Sequence, residues 1–557
     1  MKVLFCALHF GYFRNFESVI AALAERGHRV HLAADEVDAL GGHALVERLA
    51  AEHPGVTFGF APPLDDQPWF RLARKLRMGA DWVRFHDGPF ASFTKTRQNL
   101  TENVPRVGRR AVEAGLARRP LAATLRAGEG LMPISRESQA FIASHDPDVV
   151  LLASVSAWRA PQFDHLRAAR ALGRRTGVCV FSWDHLSTKA ILRIAPDRIF
   201  VWNDTQQREA VDLHGLPADR VVVTGAQCYD QWFERQPSRD RAAFCRRAGL
   251  DPSRSFLLYV CSVMRPDPRE SRFVLRWIEE IRRSADARLR EAGILVRPHP
   301  ERLKEWEDVS LERFGNVALQ GRNPISPDAQ AEYFDSLFHS HAVAGVATSA
   351  FIEAAVVGRP VHTLLMPEYA IHQSTPHFHY LLEVGGGVLK TTRTFPDHLE
   401  GLAAELARPV ARDAQNIRFV RAFVRPQGLE VPATPVFVDA VERLAAAPAR
   451  AAEAPGAWHR AMQPIVAVVA HSAERGWLRP VFRDSLERQT DRLEAERTRS
   501  KQASRADKSE RLADRERRLQ QHRRRRRREQ MIAASRNWRK HVARLKGQVK
   551  ELLGARS

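Results

Sequence analysis

The 557-residue chain is short of the features that would take it out of the ordinary globular class. It has five cysteines (Cys6, Cys179, Cys228, Cys245 and Cys261), odd in number, widely spaced and mostly in apolar segments. That excludes a disulfide framework and suits reduced core thiols in a cytosolic protein. No His/Cys cluster has zinc spacing. No apolar run is long enough to span a membrane: the longest, about 342–358, is interrupted by Thr348, Ser349 and Glu353. The apolar start, Met1 to Phe10, runs into Gly11, Arg14 and Glu17 without a small-residue cleavage site, so it reads as a buried first strand and not a leader. Repeats of solenoid type are absent.

The charge is unevenly placed. The net charge is +21, but residues 481–557 hold 25 Lys and Arg against 11 Asp and Glu, which is +14, leaving +7 for the other 480 residues. The basicity therefore belongs to a tail and says little about what the core binds. With 44% apolar and 27% charged residues the composition of the whole chain is ordinary, and the length calls for two or three domains.

Continuous apolar runs that alternate with helical patterns predict a parallel α/β architecture. Val3–Leu8, Val30–Ala33, Val149–Leu152, Val178–Phe181, Ile199–Trp202 and Val221–Val223 are the strands of a first series. A second series begins near residue 240: Phe256–Cys261, Gly293–Val296, Val317–Leu319, Ala342–Val346 and Pro360–Leu365, with amphipathic helices between them and from about 395 to 447. The expected layout is a first Rossmann-like domain over 1–235, with a helical insertion rich in Arg and Trp at about 66–145. A second Rossmann-like domain over 236–445, a linker at 446–480 and a basic helical tail at 481–557 complete it. Two such halves facing each other make a cleft, and the residues just past each strand are the ones to inspect.

The stretch Ala344–Val361 reads A-G-V-A-T-S-A-F-I-E-A-A-V-V-G-R-P-V. A strand ends at a small-residue turn, Thr348 and Ser349 are placed to cap a helix from Ala350, Glu353 lies one turn in, and Gly358 stops the helix. A helix N-terminus is a seat for a diphosphate; a capped helix with a solvated Glu is the plainer alternative. The string resembles the donor-binding element of GT-B glycosyltransferases and of the related sugar-nucleotide 2-epimerases. That resemblance implies Glu353 on the nucleotide ribose and Thr348 with Ser349 on the diphosphate. V-R-P-H-P-E at 296–301 resembles a segment of capsule-type sugar transferases and polyol-phosphate transferases, which implies phosphate contacts from Arg297 and His299; a shaped turn with an exposed His299 is the alternative. Arg265, after another strand, takes the place where a phosphate-binding Arg is common in these families; a solvated loop Arg is the alternative.

In the first half, His9 comes directly after the first strand. The arrangement resembles the acceptor domain of nucleoside-diphosphate-sugar transferases, which implies His9 as general base; an imidazole titrates near neutrality and suits that task. A structural His9 is the alternative, because F-G-Y-F-R-N-F stands where the best-known subfamilies have a Gly-rich turn. F-S-W-D-H-L-S-T-K at 181–189 offers Asp184 as a second catalytic candidate and His185 with Lys189 as acceptor contacts. The cadence G-L-P-A-D-R-V-V-V-T-G at 215–225 extends the resemblance to about residue 445.

The function so implied is metal-independent transfer of a sugar from a nucleoside-diphosphate sugar, a substrate and not a resident cofactor, to a glycan, lipid or other hydroxyl acceptor at the cell surface. Polyol-phosphate transfer, 2-epimerisation and a non-catalytic scaffold are the rivals. Asp146-Pro147-Asp148 precedes its strand, the wrong end for a metal-holding pair. In the tail, Trp538, Val542, Leu545, Val549 and Leu552 make an apolar seam at 4-3-4-3 spacing. Residues 501–557 could thus meet a partner helix or an anionic membrane, placing a cytoplasmic enzyme on the inner face of that membrane; a free, solvated charged helix is the alternative. The arginine run 523–528 has almost no aromatic interleaving, which speaks against nucleic acid.

Overall fold

The computed structural model describes residues 1–473, apart from 38–40, 65–66, 87–89, 91–92, 102–103, 105–108, 117, 154, 156–160, 264–268, 322–323, 325, 449–450 and 454–455, and residues 530–532 and 534–548 of the tail. The chain divides into a unit of residues 1–482 and a second of 483–557.

The first unit contains two parallel sheets. The first has seven strands, β1 (Lys2–His9), β2 (Arg29–Glu36), β3 (Val56–Phe60), β4 (Val149–Leu152), β5 (Arg175–Cys179), β6 (Arg198–Val201) and β7 (Val221–Val223), in the order β3-β2-β1-β4-β5-β6-β7. The second has six, β8 (Phe256–Val260), β9 (Gly293–Arg297), β10 (Val317–Leu319), β11 (Ala342–Gly345), β12 (Val361–Leu364) and β13 (Leu389–Thr392), in the order β10-β9-β8-β11-β12-β13. Both sheets start in the middle, grow to one side, then switch to the other, which is the doubly wound pattern. The two-Rossmann-domain α/β fold expected from the alternation is therefore present. The inner strands β4, β5, β8 and β9 are apolar and buried along most or all of their length because helices cover both faces.

The sequence pattern missed β3 and β13. Both are edge strands, V-T-F-G-F and L-K-T-T, half-exposed along most of their length, so neither shows the buried apolar run that marks the inner strands.

The insertion between β3 and β4 is helical, as expected, with helices Pro68–Arg84, Thr94–Thr101, Arg109–Glu113, Arg118–Gly130 and Arg136–His145. It has its own apolar cluster around Trp82, Phe85, Phe93 and Leu100. A buried ionic network fastens it to the first sheet's layer. Arg77 donates to Glu129 from Nε (2.9 Å) and to both oxygens of Asp164 (2.9 and 3.0 Å), while Arg193 pairs with Glu129 (2.8 Å) and Asp81 (2.9 Å). Two-pronged Arg–carboxylate geometry fixes orientation as well as charge.

The helix Ala433–Ala445, counted with the second half by sequence, packs on the first. Its Phe437, Val438, Val441 and Leu444 share a core with Phe5, Phe200 and Val19. Arg26 bridges Asp439 (2.7 Å) and Glu442 (2.9 Å). The crossing is tight at Gly225: its φ of +89° and the 2.7 Å from an added Cβ to Ala433 Cβ leave no room for a side chain. Asp230 holds the crossing, accepting from Arg425, Ala433 N and Thr434 N.

Within the stretch read as a linker, residues Ala457–Ala473 form a helix that lies against the insertion helix Pro68–Arg84. Its Ala and Pro content masked an apolar stripe. All five cysteines are free, four of them buried. Among the described residues no helix is long and apolar enough to cross a membrane. Asp146 and Asp148 lie at the amino end of β4, where Asp146 pairs with Lys2 (2.9 Å) and Arg174 (2.7 Å) and Asp148 accepts from Lys2 N (2.6 Å).

Candidate active site

A parallel sheet brings the carboxyl ends of its strands to one edge, and the switch in strand order opens a crevice there. In the second sheet the switch lies between β8 and β11. Ser262, just past β8, accepts from Ala347 N, just past β11, through its Oγ (3.3 Å). The loop after β8 is clamped by Glu270, which accepts from Ser262 N (2.6 Å) and Tyr259 Oη (3.0 Å). Burial pushes the Glu270 carboxyl up to about 8 against the pull of those hydrogen bonds.

The helix after β11 runs Ala350–Val357 and ends at Gly358 in the left-handed region (φ 85°), as the sequence pattern required. Thr348 Oγ1 accepts from Ala350 N (3.3 Å). Ser349 is exposed at the N-cap and makes no capping bond. The N–H groups of Phe351 and Ile352 turn back to the carbonyls of Thr348 and Ser349 (3.3 and 2.9 Å), so the open part of this helix end is its dipole and the Ser349 hydroxyl.

Glu353, one turn in, is half-buried and accepts from Tyr333 Oη. Burial raises its carboxyl, while Tyr333, Arg14 and Arg297 act to lower it. Arg297 is buried; its guanidinium lies over the Tyr333 ring (5.0 Å) and 3.7 Å from Glu332. Arg297, Tyr333 and Glu353 thus form one stack. His299, two residues beyond Arg297, is half-buried and accepts from Glu301 N (3.2 Å) as a cap of its own turn. Arg265 lies outside the described residues.

The opposite wall belongs to the first sheet. His9 is the last residue of β1, half-buried, with its ring 4.5 Å from that of Tyr12. Tyr12 meets the Phe181 ring edge-on (4.8 Å), which joins β1 to the loop after β5. In that loop Asp184 accepts from Ser182 Oγ (2.6 Å) and Thr188 Oγ1 (3.1 Å) and faces Lys189 Nζ at 3.5 Å. Burial alone would raise Asp184, but Lys189, His377 and the two hydroxyls outweigh it and hold the carboxyl well below its usual range. So ionised a carboxylate is a weak proton acceptor at neutral pH and a partner for the Lys189 ammonium. Asp184 in turn keeps the Lys189 ammonium charged.

His185, read as facing the cleft, has no exposed surface. Its Nδ1 accepts from Phe181 N (3.3 Å), and burial lowers the ring to about 3, so it is a neutral interior group that shapes the loop.

The two walls touch. Trp183 packs on His377 of the second half (4.7 Å between rings), and Tyr380 donates to Glu209, which opens a one-turn π-helix after β6. Burial pushes Glu209 up to about 8, and the nearby Asp184 charge adds to it. Arg14, exposed in the turn Phe10–Asn15 after β1, is close enough to act electrostatically on Glu353 across the cleft.

The structure therefore gathers His9, Asp184 and Lys189 on one wall and Arg297, Thr348, Ser349 and Glu353 on the other. Sequence reasoning missed Tyr12, Arg14, Glu209, Tyr333 and Tyr380. Only Arg14 carried a signal, a cation in the first loop past the first strand.

No family model matches the chain, and no curated protein matches it. Among solved structures it is similar to the UDP-GlcNAc 2-epimerase of Methanocaldococcus jannaschii at 11% identity, covering 80% of this chain and 99% of that one, with a TM-score of 0.45. The UDP-GlcNAc 2-epimerase of Neisseria meningitidis, solved with UDP-GlcNAc bound, gives 12%, 80%, 100% and 0.46 on the same measures. A glycosyltransferase from Rickettsia africae gives 10%, 80%, 99% and 0.45. Scores this low carry no weight in choosing a reaction, which has to come from the site.

Proposed function

We propose that the chain is a GT-B-type glycosyltransferase that takes a sugar from a nucleoside-diphosphate sugar and gives it to a hydroxyl of a cell-surface glycan or lipid acceptor, in the cytoplasm. The observation that carries the reading is Glu353, held by Tyr333 one turn into the helix whose open end bears Ser349, with the charge of Arg14 of the other half acting to lower its carboxyl. A carboxylate in that position accepts two hydroxyls of a ribose. The diphosphate then falls at the helix end, where the dipole and Arg14 supply positive charge.

On the other wall His9 takes the proton of the acceptor hydroxyl as its oxygen attacks the anomeric carbon, and the nucleoside diphosphate leaves. Tyr12 holds the imidazole face, and Lys189, fixed by Asp184, orients the acceptor. Charge on the leaving group is met by the helix end and by Arg14, so the step as written needs no metal.

The test is the melting temperature of the full chain against a panel of nucleoside diphosphates, followed by the matching nucleotide sugar with and without an acceptor. At least one nucleotide should raise the melting temperature, by linkage. No shift with any of them would overturn the reading. Conversion of the donor sugar to its 2-epimer without an acceptor would assign epimerisation instead.

A further inference from the structure

The helix Ala457–Ala473 has two faces. Val466 and Ala470 are buried against Leu72, Ala73 and Met132 of the insertion. On the outer face Trp458 is 70% exposed, Ile465 54%, Val468 67% and Val469 51%. These four recur at helical spacing, with Ala461 beside them, and the helix contains Arg460 but no Lys, Asp or Glu. A surface helix normally turns charge to water; one that is apolar on both faces has a second apolar surrounding.

The nature of that surrounding is indicated by the segment downstream. From residue 481 onward there are 25 Lys and Arg against 11 Asp and Glu, and the described helical stretch 530–532 and 534–548 contains no acidic residue while exposing Met531, Ile532, Trp538 and Leu545. An apolar helix face with a Trp, succeeded closely by a strongly basic segment with a second Trp, is complementary to a surface that is negative outside and apolar beneath. We propose that the outer face of Ala457–Ala473 seats in the interface of an anionic lipid bilayer, with the basic stretch beyond residue 481 supplying the electrostatic half of the attachment.

An apolar face and a basic segment each bind weakly alone and multiply together, because both are satisfied on one surface. Trp458 sits at the headgroup level, where an indole has an apolar body and a polar edge. The proposal is independent of the reaction assigned to the cleft.

The experiment is cosedimentation of the full chain with phosphatidylcholine vesicles with and without phosphatidylglycerol, comparing wild type with the double variant Ile465→Asp, Val468→Asp. Both side chains point to solvent, so the melting temperature should stay within a few degrees. Partition to the phosphatidylglycerol vesicles should fall by about tenfold or more, since two buried apolar groups become charged. High salt should weaken wild-type binding but leave a bound fraction that the double variant lacks. If the double variant unfolds, Trp458→Ser replaces it, with a smaller fall expected in the same direction. Unchanged partition of the folded variants overturns the proposal, as does equal wild-type binding to vesicles lacking phosphatidylglycerol. A lipid-free wild-type dimer that the double variant dissociates, with no vesicle binding by either, would give the face to a second copy of the chain.

Discussion

The wall after β11 draws most of its polar groups from one short stretch and a neighbouring helix: Thr348 and Ser349 just before the helix Ala350–Val357, Glu353 on it and Tyr333 from the helix beside it, with Arg297 from the end of β9 stacked on that Tyr. The wall under β1 and β5 is assembled from His9, Tyr12, Asp184 and Lys189, which meet only because β1, β4 and β5 are neighbours, and it leans on an insertion tied down by Arg77 and Arg193. One wall is local and already braced by its own hydrogen bonds. The other is composite, and its geometry depends on distant segments. Under the proposed function that difference would separate binding from chemistry: the nucleotide would be gripped by a fixed motif, while the reacting groups would come from wherever the fold can bring them.

Substitution at His9 should give the largest effect. His9→Ala is expected to lower turnover by about 10²–10⁴-fold, the usual range for loss of a general base, while the nucleotide-induced rise in melting temperature is kept. Loss of both together would break the separation, since it would show that the composite wall also grips the donor.

Next comes the support of the composite wall. Arg77→Met leaves Asp164 and Glu129 without their shared partner in the interior, and should destabilise the fold by about 3–5 kcal/mol in a urea titration. A change below about 1 kcal/mol would mean that the remaining Arg167 and Arg193 rearrange to cover both carboxylates.

On the local wall the effects should be smaller and should track affinity. Glu353→Gln is expected to weaken nucleotide binding by about 1.5–3 kcal/mol, the worth of hydrogen bonds to a charged group, with Tyr333→Phe causing a smaller loss of the same sign. Isothermal titration of both variants decides it. A Tyr333→Phe effect as large as that of Glu353→Gln would show that Tyr333 contacts the nucleotide itself.

The same contrast governed what the sequence could reveal. The buried strand Val149–Leu152 was legible to the residue, because a strand covered on both faces has to be apolar throughout. The helix Ala350–Val357 was legible because Thr348, the acid and the stop glycine lie within eleven residues of one another, from Thr348 to Gly358. Tyr333 and Tyr380 were not, since each meets its carboxylate partner from another element and neither sits in a turn or after a strand. His185 misled because a polar residue past a strand looks the same in sequence whether it faces the cleft or turns under the loop. The two-faced apolar character of Ala457–Ala473 was hidden by its composition, which reads as a linker until the packing of Val466 and Ala470 shows a helix.

A pH-dependent effect tests the contact between the walls. Glu209 is a buried acid of the first half that accepts from Tyr380 of the second, with Asp184 and Ser187 as its other neighbours. Its carboxyl is at about 8 in the fold against 4.5 when unperturbed. Between these values the folded chain keeps a proton that the unfolded chain has lost, so folding takes up a proton there and stability falls as pH rises. The Glu209 contribution is complete below about 4.5, declines through the window and is level above about 8. Glu270, also at about 8, tilts the whole-protein curve the same way, so the Glu209 part has to be read as a difference. Glu209→Gln stays neutral and keeps an acceptor oxygen for Tyr380. Near pH 5 it should therefore lie within about 1 kcal/mol of wild type, with the gap moving in favour of the variant as pH approaches 8. A melting-temperature difference that stays flat from pH 5 to 8 would mean that Glu209 reaches water on ionising, and that the walls part at Tyr380 without cost.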